Sequence, residues 1–348
     1  MRLSDCPAKS NNLQLLRFLA AFLVVVSHSF SLSTGDNTEE WLSVLTSGQI
    51  TMGGLAVSVF FCAGGFLIAK SMLRTGNGSE YFKARILRIF PALLVVILLT
   101  AFVFGPILTT CSPGEYFTSP QVYKYLLNGI LIPQHDLPGV FANNISVSTV
   151  NGSLWTLSIE FLCYIGCYLM WKLNLLKRES AKWSIPFVAA GSFGLYIIIR
   201  QFHMSVLLEA IRPGLLFYIG VLFYVYRDYV KFTGIRVVSN FLVMLLFGTC
   251  GMLDIGLLLC FPYLLLYICF AITQISDRIG RVGNISYGMY LCAFPIQQFW
   301  VSYCGGTMSP YMNMLLSIPI VLIIGWLLYK FVEQQVVQWE KRIIRRKE

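Results

Sequence analysis

The run LQLLRFLAAFLVVVSHSFSLS, residues 13–33, decides how the rest of the chain is read. Roughly 20 apolar residues, rising 1.5 Å each in a helix, cross the ~30 Å hydrocarbon core of a bilayer. This run has that length, yet it holds Arg17 and His28. Arg2 and Lys9 precede it, as basic residues precede the apolar part of a signal peptide. Because Arg17 interrupts the run and no small-residue cleavage motif comes after it, the stretch is expected to be a retained first span.

The composition extends this reading to the whole chain. Of 348 residues, 57% are hydrophobic and 12% charged, and the mean hydropathy is +0.70. A soluble domain carries about a quarter charged residues, so the solvent for most of this chain is lipid. Apolar windows bounded by polar breaks fall at 11–33, 51–70, 87–108, 151–171, 183–200, 210–226, 237–253, 256–273, 283–303 and 310–332. The expected fold is an all-α, polytopic membrane protein, a bundle of about ten transmembrane helices. Residues 109–150, rich in Pro, Gly and Asn, are expected to connect without spanning. Their apolar piece Val122–Ile132 is too short to cross and suits a re-entrant or interfacial position.

Placing the N-terminus in the cytoplasm puts all but Arg17, Lys124, Arg200 and Arg212 of the 26 Lys and Arg on the inner side. The opposite connections hold Asp36, Glu39, Glu40, Glu115, Asp136, Glu209 and Asp254. Such asymmetry obeys the positive-inside rule and predicts both termini in the cytoplasm. The net charge of +10 is then a topology signal and a contact with membrane lipid headgroups, and a nucleic-acid partner is not expected. Residues 1–340 read as a single transmembrane domain and 341–348 as a short basic cytoplasmic tail.

Seven of the ten cysteines lie in apolar stretches, where Cys behaves as a small hydrophobe. Cys111 and Cys304 fall in outward-facing segments, where an oxidising compartment would allow a disulfide. No Cys/His cluster has metal-ligand spacing, and no metal is expected. The Asn-x-Ser/Thr sequences at Asn77, Asn144, Asn151 and Asn284 read as chance occurrences.

Ionisable groups at membrane depth cost about 2.5–3.5 kcal/mol each on insertion scales, so each points to function by default. Arg17 and His28 are eleven residues apart, close to a whole number of turns, and share a helical face. They lie roughly 16 Å apart along the axis, with His28 at the outer end among Ser27, Ser29 and Ser31. A histidine takes up and returns a proton near neutral pH, which makes His28 the natural base. His135 and His203 lie in connections without an acidic or nucleophilic motif and read as structural. Glu160, in Asn151-Gly-Ser-Leu-Trp-Thr-Leu-Ser-Ile-Glu, shares a face with Ser153 and Tyr164 at i, i+7 and i+11. Its carboxylate would orient a histidine, balance Arg17 or bind a hydroxyl; a structural ion pair is the other reading. Arg85 and Arg88, with Lys83, form a compact cationic cluster before Ile89-Phe90-Pro91. Arginine forks suit phosphate oxygens, although positive-inside topology explains the cluster as well. The glycines in Phe60-Phe61-Cys62-Ala63-Gly64-Gly65-Phe66 are expected to serve close helix packing.

Together these residues resemble acyltransferase family 3, integral-membrane acyltransferases of bacteria that O-acetylate surface polysaccharides. The resemblance runs from about Leu13 to Glu333. It rests on Leu15-Leu-Arg-Phe-Leu-Ala-Ala with the Arg17-to-His28 spacing, Phe60-Phe61 with Gly65-Phe-Leu-Ile, Arg85-Ile-Leu-Arg-Ile-Phe-Pro, Asn151 to Tyr164, and Ile285-Ser-Tyr-Gly-Met-Tyr-Leu ending in Pro295. It implies an acetyl-CoA donor from the cytoplasm and a lipid-linked or lipopolysaccharide glycan acceptor, O-antigen by the Ala-Phe-Pro-Ile-Gln-Gln variant, in the bacterial inner membrane. It also implies catalytic roles for Arg17, His28 and Glu160 and donor binding by Arg85 and Arg88; Ser153, Trp155 and Tyr164 are the acceptor-binding candidates. Two positions depart from the family pattern. Gly64 stands where many members have serine, and Ala293 where many have histidine, which leaves the base role to His28. The competing class, a proton-coupled transporter or flippase, would also use buried Arg, His and Glu, but the repeats usual in transporters are not found.

Overall fold

A computed structural model describes residues 1–6, 11–146, 149–201, 205–275 and 285–345. Lys9, His203, Arg278, Arg281, Asn284, Arg346 and Lys347 lie outside the described residues, and so does the end of the expected tail. Each apolar window coincides with a helix or helix pair: α1 (Leu13–Thr34), α2 (Met52–Thr75), α3 (Gly78–Leu99), α4 (Trp155–Lys172), α5 (Arg178–Gln201), α6 (Ser205–Val225), α7 (Gly234–Thr249), α8 (Leu253–Leu259), α9 (Phe261–Phe270), α10 (Ser286–Tyr303) and α11 (Pro310–Leu328). A π-helical turn, Tyr329–Glu333, leads into α12 (Gln334–Arg345).

Five helical stretches among the described residues are long and apolar enough to cross a membrane: Leu13–Thr34, Met52–Thr75, Gly78–Leu108, Gly152–Lys172 and Pro310–Glu340. The pair α8 and α9, bent by 49°, would make a sixth. Among the described residues the chain is all-helical, with five or six apolar spans by this measure, and Ala210–Val225 of α6 and Gly234–Thr249 add shorter apolar segments. The 109–150 connection folds into short helices, Pro113–Thr118 and Pro120–Tyr125, continued by the 3₁₀ turn Leu126–Ile130. It is anchored by Tyr116, wholly buried, whose hydroxyl donates to the Ala101 carbonyl at 2.8 Å. Cys111 and Cys304 are both free thiols.

The bundle is organised around α2, which packs most extensively on α6 and also on α1, while α1 packs on α10 and α10 on α11. The α2–α6 contact is backbone to backbone. A Cβ on Gly65 would lie 1.8 Å from the Phe217 carbonyl oxygen, and one on Gly220 2.1 Å from that of Cys62. Apolar side chains have no reason to prefer each other over lipid tails, so close approach through glycine supplies the dispersion that holds such helices together.

A second device fixes α1, α10 and α11 together. Ser29, Gln297, Asn313 and Ser317 are fully buried and hydrogen-bonded across the three helices. Gln297 Nε2 donates to the Val25 carbonyl at 2.8 Å and to Ser29 Oγ at 2.7 Å. Asn313 Nδ2 donates to the Gln297 carbonyl at 3.2 Å, and Ser317 Oγ donates to Asn313 Oδ1 at 3.2 Å. Directional bonds of this kind specify register where apolar packing is permissive. Asn313→Leu is expected to cost about 1–2 kcal/mol, read as a lower melting temperature in detergent; an unchanged melt would show the network idle.

Three asparagines of the Asn-x-Ser/Thr sequences have structural work. Asn77 caps α3 by accepting from Ser79 N at 2.8 Å. Asn144 donates to Gln298 Oε1 at 2.7 Å, and Asn151 donates to the Leu291 carbonyl at 2.9 Å.

Candidate active site

One cavity of about 310 Å³ opens between α1, α2, α3, α4 and α10, within the range of small-molecule sites. Its charged lining is Arg17, Arg85, Arg88 and Glu160; Tyr164, Thr156, Tyr287 and Tyr290 add hydroxyls, and Phe60, Phe61 and Leu157 are among its apolar walls. Helix period places these groups. Arg85 and Arg88 are three apart on α3, Glu160 and Tyr164 four apart on α4, and Tyr287 and Tyr290 three apart on α10, so each pair projects from one face.

The three guanidinium groups differ in their partners. Arg88 donates through Nη1 to Glu333 in a short ion pair and lies over the Tyr287 ring, 5.2 Å from its centroid. Arg85 Nη2 donates to Ser71 Oγ at 3.2 Å, and its guanidinium sits 5.6 and 5.9 Å from the ring centroids of Tyr81 and Tyr164. Its Nε is buried with no hydrogen-bond partner. Arg17 lies within electrostatic reach of Arg88, Glu160, Tyr164 and Glu333. Ion pairs join Arg88 to Glu333 and Lys83 to Glu340. Neither Arg17 nor Arg85 has a carboxylate partner among the described residues, so the cavity presents positive charge that no protein group there neutralises by direct contact.

Glu160 accepts a short hydrogen bond from the Tyr164 hydroxyl. The structure gives this carboxylate to Tyr164 and the arginine cavity, not to His28. Ser153 does not join that face, because it lies in a 3₁₀ turn, Gly152–Leu154, ahead of α4, where the α period does not apply. Its carbonyl accepts from Tyr290 at 2.7 Å, and its hydroxyl is buried without a partner. Trp155 is half-buried and, like Ser153, outside the cavity lining.

His28 stands apart. It does not line the cavity, and its ring meets Phe294 edge-on with centroids 5.2 Å apart. Tyr287, Tyr290 and Phe294, at i, i+3 and i+7 on α10, form a stripe leading from Arg88 toward His28. Phe60 of α2 meets the middle of that stripe, 6.1 Å from the Tyr290 ring. Tyr290 is immobilised by its bond to Ser153 and a short one with Thr156. The cavity with its three arginines and the histidine are therefore successive stations along α1 and α10.

Sequence reasoning passed over Thr156, Tyr287, Tyr290 and Glu333. The two tyrosines sit in a polar stretch at the start of α10 whose three-residue spacing was readable. Glu333 had a simpler signal, an acid at the end of the last apolar window.

Helices long enough to span enclose a cavity lined by three partly buried arginines and one carboxylate. The chain belongs to acyltransferase family 3: the family's acyltransferase domain matches residues 10–330. It is 32% identical over 334 residues to the O-acetyl transferase of Shigella phage Sf6, covering 94% of this chain and 96% of that protein. It is also 27% identical over 202 residues to nodulation protein 10 of Rhizobium leguminosarum bv. viciae, 56% of this chain and 52% of that one. Acyltransferase MdmB of Streptomyces mycarofaciens is 26% identical over 156 residues, 44% and 38% of the two chains. No solved structure matches the chain.

Proposed function

We propose that this protein transfers an acetyl group from acetyl-CoA, taken up on the cytoplasmic side, to a sugar hydroxyl of a surface polysaccharide at the outer face. The phage relative, named an O-acetyl transferase, supports acetyl transfer to an oxygen; the acceptor itself, a lipid-linked or lipopolysaccharide O-antigen glycan in the bacterial inner membrane, is the one the motif resemblance implies. The observation that carries the reading is the cavity in which Arg17 and Arg85 lack carboxylate partners while Arg85 Nε is buried and unpaired. Phosphates of a CoA satisfy such groups with charge-assisted hydrogen bonds, and the apolar walls suit the pantetheine arm.

His28 lies roughly 16 Å along α1 from Arg17, a distance comparable to much of that arm. The thioester reaches His28 along the α10 stripe while the phosphates stay with the arginines. His28 removes the proton from the acceptor hydroxyl as the oxygen attacks the thioester carbonyl; the carbon–sulfur bond breaks and the CoA thiolate takes up a proton. A variant of the same reading has His28 carry the acetyl group first. Arg17 holds the donor or offsets charge on the thioester oxygen. Glu160, held by Tyr164, offsets part of the Arg17 charge across the cavity, and Ser153 and Trp155 lie toward the acceptor end.

The test is direct. Membrane vesicles containing the protein should release CoA from acetyl-CoA when acceptor glycan is supplied, and the glycan should gain acetyl esters by NMR. If neither occurs, the transporter class becomes the better account. Arg17→Leu should lower kcat/KM for acetyl-CoA about 100-fold, about 2.7 kcal/mol of transition-state stabilisation; a change under threefold would remove Arg17 from the mechanism.

A further inference from the structure

We infer that Glu333, at the C-terminal end of the bundle, is a positioning residue that aims the Arg88 guanidinium into the cavity, so that donor affinity depends on a carboxylate outside the cavity lining. The inference rests on the reading of the cavity as the donor site.

The local structure is unusual in a way that favours it. The last span leaves α-helical geometry at Tyr329–Glu333, a π turn that adds a residue to one turn and rotates the downstream helix. Such turns are rare and gather at functional sites. Here the turn ends on Glu333, whose side chain is 6% exposed against 38% for its partner Arg88. One carboxylate oxygen accepts from Arg88 Nη1, and the other is buried with no partner. An acid so placed is costly unless paired, and truncating one partner strands the other.

Glu333 does not consume the arginine. A guanidinium has five N–H donors in a rigid plane, and Glu333 engages it through Nη1. Tyr287 supports the group by its ring, 5.2 Å from Arg88 Cζ, and is itself held by donating to the Ile89 carbonyl at 2.8 Å. Carboxylate at one edge and ring beneath together fix the plane of the fork while donors remain for a ligand. The second ion pair of the C-terminal segment, Lys83–Glu340 at 3.0 Å, is partly exposed on both sides. It joins α3 to α12, just beyond the π turn and outside the cavity lining, and serves as the control.

Acetyl-CoA kinetics of the full-length protein in vesicles test this. Glu333→Gln should raise KM for acetyl-CoA about tenfold, equivalent to about 1.4 kcal/mol, with kcat within about threefold, while Glu340→Gln leaves both unchanged. In a double-mutant cycle with Arg88→Ala, the Glu333→Gln effect should vanish, because it acts only through that arginine. If Glu333→Gln does not accumulate, Glu333→Asp keeps the charge but shortens its reach and should show the same KM-only defect. An unchanged KM, or effects that add in the cycle, overturns the inference. A lower KM also overturns it, since Glu333 would then be a counter-ion that the donor displaces. Absence of acetyl-CoA turnover by the unmutated protein would instead overturn the donor reading itself.

Discussion

Replacing His28 by alanine should lower acetylation of the surface polysaccharide by at least about 100-fold while the protein reaches the membrane at its normal level. The size comes from the role, since a positioned general base contributes roughly 10²–10⁴ in rate. Normal folding is expected from the surroundings. The imidazole is half-buried, has no hydrogen-bond partner among the described residues, and makes one edge-to-face ring contact with Phe294. Losing such a contact costs about 0.5–1.5 kcal/mol, too little to unfold a bundle of this size. No neighbouring histidine on α10 replaces it, since position 293 is alanine and wholly buried. Acetyl content by NMR or mass spectrometry, normalised to protein by immunoblot, decides the matter. Acetylation above half of the unmutated level would remove His28 from the proton transfer.

Gly65→Ala should deplete the folded protein, whereas Gly64→Ala should leave folding intact, although the two residues are adjacent. A methyl on Gly65 would sit 1.8 Å from the Phe217 carbonyl oxygen and 2.7 Å from its carbon, both backbone atoms that no rotamer change can move. The helices α2 and α6 would have to separate, undoing the reciprocal approach of Gly220 to Cys62. Overpacking ordinarily costs 1–3 kcal/mol, and a backbone clash lies at or beyond the upper end, about 3 kcal/mol. A methyl on Gly64 would instead meet ring carbons of Phe217 at 3.8 and 3.9 Å, ordinary contact. In detergent, Gly65→Ala should melt roughly 4 °C or more below the unmutated protein, or fail to give a monodisperse peak. Equal melting of the two variants would refute the backbone contact.

That contrast shows how much of this protein was legible in advance. Paired glycines in an apolar window pointed to close packing, but the sequence does not say which of the two is crowded. The answer depends on where α6 crosses α2. Likewise, the spacing of Arg17 and His28 gave them one face of α1, yet only Arg17 opens on the cavity. The intervening space belongs to Phe60, Tyr290 and Phe294, contributed by helices more than thirty residues away in one case and more than two hundred in the others. The grouping of Arg85, Arg88, Glu160 and Tyr164 was anticipated pair by pair, because each pair is local to one helix. Their meeting in one cavity was not.

What the sequence determined by itself was the class and composition of the protein: helices, because lipid leaves backbone polar groups no other partner within a span, and a family membership written in short motifs at fixed order. It also marked the costly residues, since a charge in an apolar window is visible without coordinates. The tertiary structure alone decided which of those charges remain unpaired. Glu333 takes Arg88 from 245 residues away, and Tyr164 takes Glu160 from one turn away, while Arg17 and Arg85 are left facing the cavity without a carboxylate. Pairing is a matter of a few ångströms, set by how helices cross and where a π turn rotates a side chain inward, and no periodicity within one helix carries that information.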